Sequence, residues 1–126
     1  STSVKNSITG VTIPIDGIVF LGNQEGTNNQ FTVTGEVLYN LTQLSGNYEI
    51  SLSTSASLKP LSGSQSVLTV QGQSTEYLVV TGDERIAFQK GYEVEGEDGD
   101  RLMFSIDFSF ADEKLTLDGI SLTSVN

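Results

Sequence analysis

The sequence predicts an all-β fold, a single domain of seven or eight short, mostly antiparallel strands, with a barrel favoured over a sandwich. Three observations carry this expectation. Apolar and polar residues alternate with a period of two through most of the chain. Clusters rich in Gly, Ser, Asn and Asp punctuate it at roughly 8–12-residue spacing, as turns between strands do. No window shows the helical period, and nothing marks an internal repeat, a linker or a domain boundary.

The first residues, STSVKNS, are small and polar, and Ser1 to Gly10 is expected to be a flexible tail, with the all-β domain running from 11 to 126. The first strand is VTIPIDGIVF. Val11, Ile13 and Ile15 share one face, and Gly17 displaces the phase, so that Ile18 and Phe20 fall on the other count. Pro14 has no N–H to give to a ladder, which places it at a sheet edge, a strand start or a bulge. Gly17 is where a bulge would bend the strand. A bent edge strand either closes the barrel against the last strand or reaches into another copy. Val11, Ile13, Pro14, Ile15, Ile18 and Phe20 are therefore the expected interaction residues.

The second strand, FTVTGEVLYNL, turns Phe31, Val33, Val37, Tyr39 and Leu41 to one side and Thr32, Thr34, Glu36 and Asn40 to the other. A turn at Leu44-Ser45-Gly46-Asn47 leads to YEISLSTSASL, whose apolar positions alternate with serines. Pro60 and the Ser62-Gly63-Ser64 cluster end it. Two short strands, SVLTVQG and TEYLVVTG, follow around Gln71-Gly72-Gln73-Ser74. RIAFQ continues into GYEVEG past an irregularity at Gly91. The clearest strand is RLMFSIDFSF, with Leu102, Phe104, Ile106, Phe108 and Phe110 on one face. A turn at Ala111 to Lys114 introduces LTLDGISLTSV, where Asp118-Gly119 shifts the phase a second time.

Composition excludes several functions. Six Lys and Arg stand against 16 Asp and Glu, a net charge of −10, and the six are scattered. Neither nucleic acid nor an anionic membrane surface suits such a chain. The chain has no Cys and no His, which removes thiol nucleophiles, thiolate metal sites and the usual general base near neutral pH. No segment approaches the ~18 consecutive apolar residues of a membrane span. A start at Ser1 without Met suits a mature exported protein, and the richness in Ser, Thr, Asn and Gly favours an extracellular or envelope location.

Four features are candidates for chemistry. Glu95, Glu97, Asp98 and Asp100 crowd one loop and are the calcium candidate, although the spacing is not that of an EF-hand; a solvated hairpin loop accounts for them more simply. Asp107, alone between Ser105 and Ser109, is the carboxylate best placed for acid–base work, with an outward strand acid the plainer account. A Ser–Lys dyad would need a desolvated Lys, whereas Lys5, Lys59, Lys90 and Lys114 are all expected in tails or turns. Phe20, Phe31, Tyr39, Tyr48, Phe88, Phe104, Phe108 and Phe110 could line a cavity, but a filled core fits their few small neighbours better. The sequon Asn40-Leu41-Thr42 has the frequency of a chance match.

The order of three pieces, Thr12 to Phe20 (TIPIDGIVF), Phe31 to Val37 (FTVTGEV) and Leu102 to Leu122, resembles that of small exported bacterial all-β proteins of unassigned role. Those proteins carry T-I-P-[IV]-D near the mature N-terminus and T-G-x-[LV]-H in the second strand. Here Thr34-Gly35 is followed by Glu36-Val37-Leu38, with no histidine. The resemblance implies export and an all-β domain, and brings no catalytic residue, ligand or partner.

The expected function is that of a non-catalytic secreted or cell-surface β-domain acting through protein–protein interaction or self-assembly, with N-terminal strand exchange as one route. The alternatives are a barrel that carries a small hydrophobic ligand and a calcium-dependent binding module.

Overall fold

A computed structural model describes residues 4–62, 66–79, 84–96 and 99–125. The two-residue period resolves into seven strands: β1 (Val4–Phe20), β2 (Gln30–Leu44), β3 (Asn47–Pro60), β4 (Leu68–Val79), β5 (Ile86–Glu95), β6 (Arg101–Ala111) and β7 (Lys114–Ser124). They form two antiparallel sheets, ordered β1-β2-β3-β4 and β5-β6-β7. Each strand follows its spatial neighbour in sequence, so the chain is a meander split into two layers. A 3₁₀ turn at Thr27–Asn29 leads into β2.

Two hairpins are set by backbone chirality. Ser45 and Gly46 have φ of 44° and 87° between the paired residues Leu44 and Asn47. Asp112 and Glu113 have φ of 52° and 59° between Ala111 and Lys114. Two positive φ values in a two-residue loop match the right-handed twist of the flanking strands.

Several expectations need correction. β1 begins at Val4 and pairs with β2 from there, so residues 4–10 of the expected tail are strand; Ser1 to Ser3 lie outside the described residues. Gly17 causes no phase slip. It sits opposite Val33 in unbroken register, Ile15 and Val19 on either side of it are both buried, and Ile18 points to solvent at 54% exposure. The irregularity lies earlier, between Ile8 and Val11, where Gly10 takes a φ of +69° that an L side chain resists. Gln71 to Ser74 does not divide two strands. β4 runs through it, paired with β3 residue by residue, and Gly91 lies in β5 with no break in register. The slip expected at Asp118-Gly119 is present: Asp107 pairs with Gly119 and Phe108 with Leu117, leaving Asp118 as the extra residue.

The inward faces of both sheets form one apolar cluster that includes Val33, Val37, Leu41, Ile50 and Leu58 from one layer and Phe104, Ile106, Phe108 and Leu122 from the other. Burying each such side chain is worth about 1.5–3 kcal/mol. Contacts across the layers are specific. The Tyr48 and Phe110 rings lie 5.0 Å apart at 60°, and the Leu115 N–H donates to the Tyr39 hydroxyl at 3.5 Å. The strands thus share one core, but they are laddered as two sheets rather than one continuous ring. Among the described residues the only backbone bridge between the two sheets is an isolated parallel one, Leu21 to Leu122.

Candidate functional site: the open edge of β4 and its seam with β5

Two sheets have four edge strands: β1, β4, β5 and β7. A bare edge presents unpaired backbone groups, and proteins blunt such edges with Pro, bulges and outward charges. β1 carries Pro14, the Gly10 irregularity and Asp16. β7 carries the Asp118 bulge, and Asp118 is held by Arg85 at 3.2 Å. β5 carries Glu93 and Glu95 on its outward face. β4 has no Pro, no bulge and no outward charge; its one charged side chain, Glu76, lies in the inward phase and pairs with Lys90. It is 12 residues long, unbroken in register, and its outward positions are Thr69, Gln71, Gln73, Thr75, Tyr77 and Val79. Tyr77 is 74% exposed and Val79 68%.

The inward side of β4 is covered unevenly. Leu68 and Val70 are buried, whereas Gly72, Ser74, Glu76 and Leu78 are only half-buried. This under-covered half forms a polar seam with β5. The Tyr92 ring occupies the space where Gly72 lacks a side chain; a Cβ built there would lie 2.6 Å from the ring. The Tyr92 and Thr54 hydroxyls are 2.6 Å apart. Burial raises the Tyr92 pKa above the usual phenol value, the bond to Thr54 works against that shift, and the Glu76 charge adds to it. Lys90, expected in a turn, stands mid-strand in the inward phase of β5 and meets Glu76 at 3.6 Å. The Ser74 hydroxyl is buried in the same region and has no hydrogen-bond partner among the described residues.

On the outer face, the short serines of β3 leave a shallow trough between longer neighbours on β2 and β4. One hollow of about 490 Å³ is bordered by Leu38, Asn40, Ser51, Ser53, Gln73 and Thr75. A second of about 330 Å³ adjoins it along Ser53, Ser55, Gln71 and Gly72. No charged side chain lines either hollow. Such a surface offers amide and hydroxyl hydrogen bonds and can receive neutral polar groups, peptide amides among them.

The other candidates are placed as follows. Glu97 and Asp98 lie outside the described residues; Glu95 and Asp100 are exposed, and the loop is closed by the Gly96 N–H donating to the Asp100 carbonyl at 2.6 Å. Arg101 at its base pairs with Glu93. Among the described residues no three acidic side chains gather as a metal site. Asp107 is exposed and accepts a bond from the Gln89 amide at 2.8 Å. The Asn40 side chain accepts from the Gly10 N–H at 2.8 Å. Of the residues expected to interact through β1, Ile15 is buried and Val11 and Ile13 pack against the same core, while Ile18 and Pro14 face outward.

The β4 edge is not apparent from the sequence because Gly72 and Ser74 resemble a turn. The signal that could have found it is the near-absence of charge: from Ser66 to Val79 Glu76 is the one Asp, Glu, Lys or Arg. No protein-family model, curated protein or solved structure matches this chain.

Proposed function

We propose that this chain is a non-catalytic β-domain of the cell exterior that binds proteins, or further copies of itself, by strand addition at the β4 edge. One observation carries the reading: β4 is a long edge strand with no Pro, no bulge and no outward charge, and it exposes Tyr77 and Val79. In a chain with net charge −10, an uncharged edge is the place where another strand meets least repulsion. Hydrogen bonds to the β4 backbone would supply affinity, and Tyr77, Val79 and the trough beside them would supply selectivity.

The barrel expected from the sequence is kept in this proposal as a half-closed one. The β1–β7 side is tied by the Leu21–Leu122 bridge, and the β4–β5 side, spanned by the Lys90–Glu76 pair, stays open to a strand. Addition at β4 is favoured over exchange of β1, because β1 is paired with β2 along its length and buries Ile15 and Val19; freeing it would uncover the core. The non-catalytic reading is supported by a chain without His or Cys, whose best-placed Lys and Asp are engaged by Glu76 and Gln89. Its placement outside the cell rests on the Ser- and Thr-rich outward faces of β2 and β3.

Selection of displayed random peptides tests the proposal. The wild-type protein is expected to enrich peptides of extended, β-branched character, and a Gln73→Lys/Thr75→Lys variant, which places two charges on the edge, is expected to lose them. Equal enrichment on both proteins, or none on either from a wild type that also stays monomeric, would overturn it.

A further inference from the structure

We infer that β4 pairs antiparallel with β4 of a second copy about a two-fold axis through Gln73, joining two four-stranded sheets into one continuous sheet. This rests on the reading of β4 as a docking edge and names its occupant. Three observations single out that register.

The first is length. Gln73 lies at the middle of the segment from Val67 to Val79, so this register uses the whole edge. The second is side-chain matching. Two-fold pairing about residue 73 sets Val67 opposite Val79 of the second copy, Thr69 opposite Tyr77, and Gln71 opposite Thr75. Val67 and Val79 are 50% and 68% exposed, and pairing places these two open apolar side chains against each other. Cross-strand pairs of this kind are the unit of sheet stabilisation. The third is charge. Like charges directly opposite would oppose pairing, and Glu76, the one charged residue on β4, falls opposite Val70 rather than its own counterpart. Gln73 faces itself and can exchange amide hydrogen bonds across the axis. The other edges fare worse, since β5 carries Glu93 and Glu95, β1 is interrupted by Pro14 and β7 by the Asp118 bulge. A two-fold contact closes on itself, so the product is a dimer and not a fibre.

Sedimentation velocity on the full chain, from micromolar to millimolar concentration, tests the inference. The wild type is expected to pass from monomer to dimer. Gln73→Lys and Gln73→Glu are each expected to stay monomeric, and their equimolar mixture to recover the dimer, because only the mixture sets opposite charges across the axis. The absence of cysteine allows a second measurement. Directly opposed residues of an antiparallel pair have Cα separations that a disulfide can span. Gln73→Cys is therefore expected to cross-link on mild oxidation, and Gln71→Cys, which faces residue 75, is not. A dimer indifferent to both single charges, or cross-linking at 71 but not at 73, would overturn the register. A wild type that stays monomeric at millimolar concentration while still selecting peptides would overturn self-pairing alone. If it neither dimerises nor selects peptides, the docking edge falls as well.

Discussion

The hydroxyls of Thr54 and Tyr92 lie 2.6 Å apart in the space between the sheets and join β3 to β5. Both residues are buried, at 2% and 8% exposure, in an interior that is otherwise almost wholly apolar. Removing one hydroxyl strands the other at a cost of about 1–3 kcal/mol, whereas removing both is far milder. Thr54→Val and Tyr92→Phe are each expected to lower stability by that amount, and the double variant to lose less than the sum of the two. Urea unfolding of the four proteins measures the coupling.

Tyr48 and Tyr92 predict how stability responds to alkali. Burial raises the pKa of Tyr48, and the nearby Glu113 carboxylate, which accepts a hydrogen bond from its hydroxyl at 3.4 Å, raises it further. Burial likewise raises Tyr92. A raised phenol pKa means that the folded state holds its proton longer than the unfolded state does. The stabilisation is complete below the unfolded value of ~10 and is lost as pH climbs from there through the folded value. Unfolding free energy is therefore expected to be flat near neutrality on account of these groups and to fall above pH ~10, with a shallower fall in Tyr48→Phe. Denaturant melts across the alkaline range would show it, and an identical slope in the variant would contradict it.

Gly35 and Gly72 both sit where a neighbour comes close, but against different kinds of atom. A Cβ on Gly35 would collide with the Ser55 carbonyl oxygen and lie 2.6 Å from the Ala56 Cα, which are backbone atoms of the paired strand. A Cβ on Gly72 would meet the Tyr92 ring, a side chain whose displacement strains the Thr54 contact but leaves the ladder intact. Gly35→Ala is expected to cost about 2–3 kcal/mol and Gly72→Ala less, the overpacking range seen in well-packed interiors. Comparison of the two melting temperatures checks the order.

Large aromatic residues separate into core and surface roles. Phe104 is fully buried, and Phe104→Ala is expected to cost about 3–5 kcal/mol. Tyr77 is 74% exposed, and Tyr77→Ala is expected to change stability by less than about 0.5 kcal/mol. It is expected to weaken association or peptide capture all the same. Paired unfolding and binding measurements on these variants distinguish the roles.

Much of the fold was legible because one period governs it. The inward sets of β2, β3 and β6 follow from alternation alone, as do the turns at Ser45-Gly46 and Asp112-Glu113. The Asp118 bulge was legible because its apolar residues change face. Gly17 misled for the opposite reason. A glycine can hold an inward position without a side chain, and here the Ile120 methyl lies 3.5 Å from where its Cβ would be, filling the gap. Gly72 and Ser74 misled in the same way, since turn-forming residue types in a paired strand look like a break until the partner strand is known. Lys90 was hidden because its Glu76 partner is distant in sequence, and alternation gives a face but not the neighbour across a seam.

The Leu21–Leu122 bridge is parallel, as it must be when an odd number of alternating strands brings the first beside the last. The start of β1 and the end of β7 therefore point to opposite poles, separated along β1 by about 50 Å at the usual rise per residue. Tension applied through the two ends would run along the strands and load the β1–β2 ladder in shear, so that many hydrogen bonds must yield together rather than one after another. A domain placed in a surface assembly under flow or traction would be oriented by that polarity to resist being drawn open.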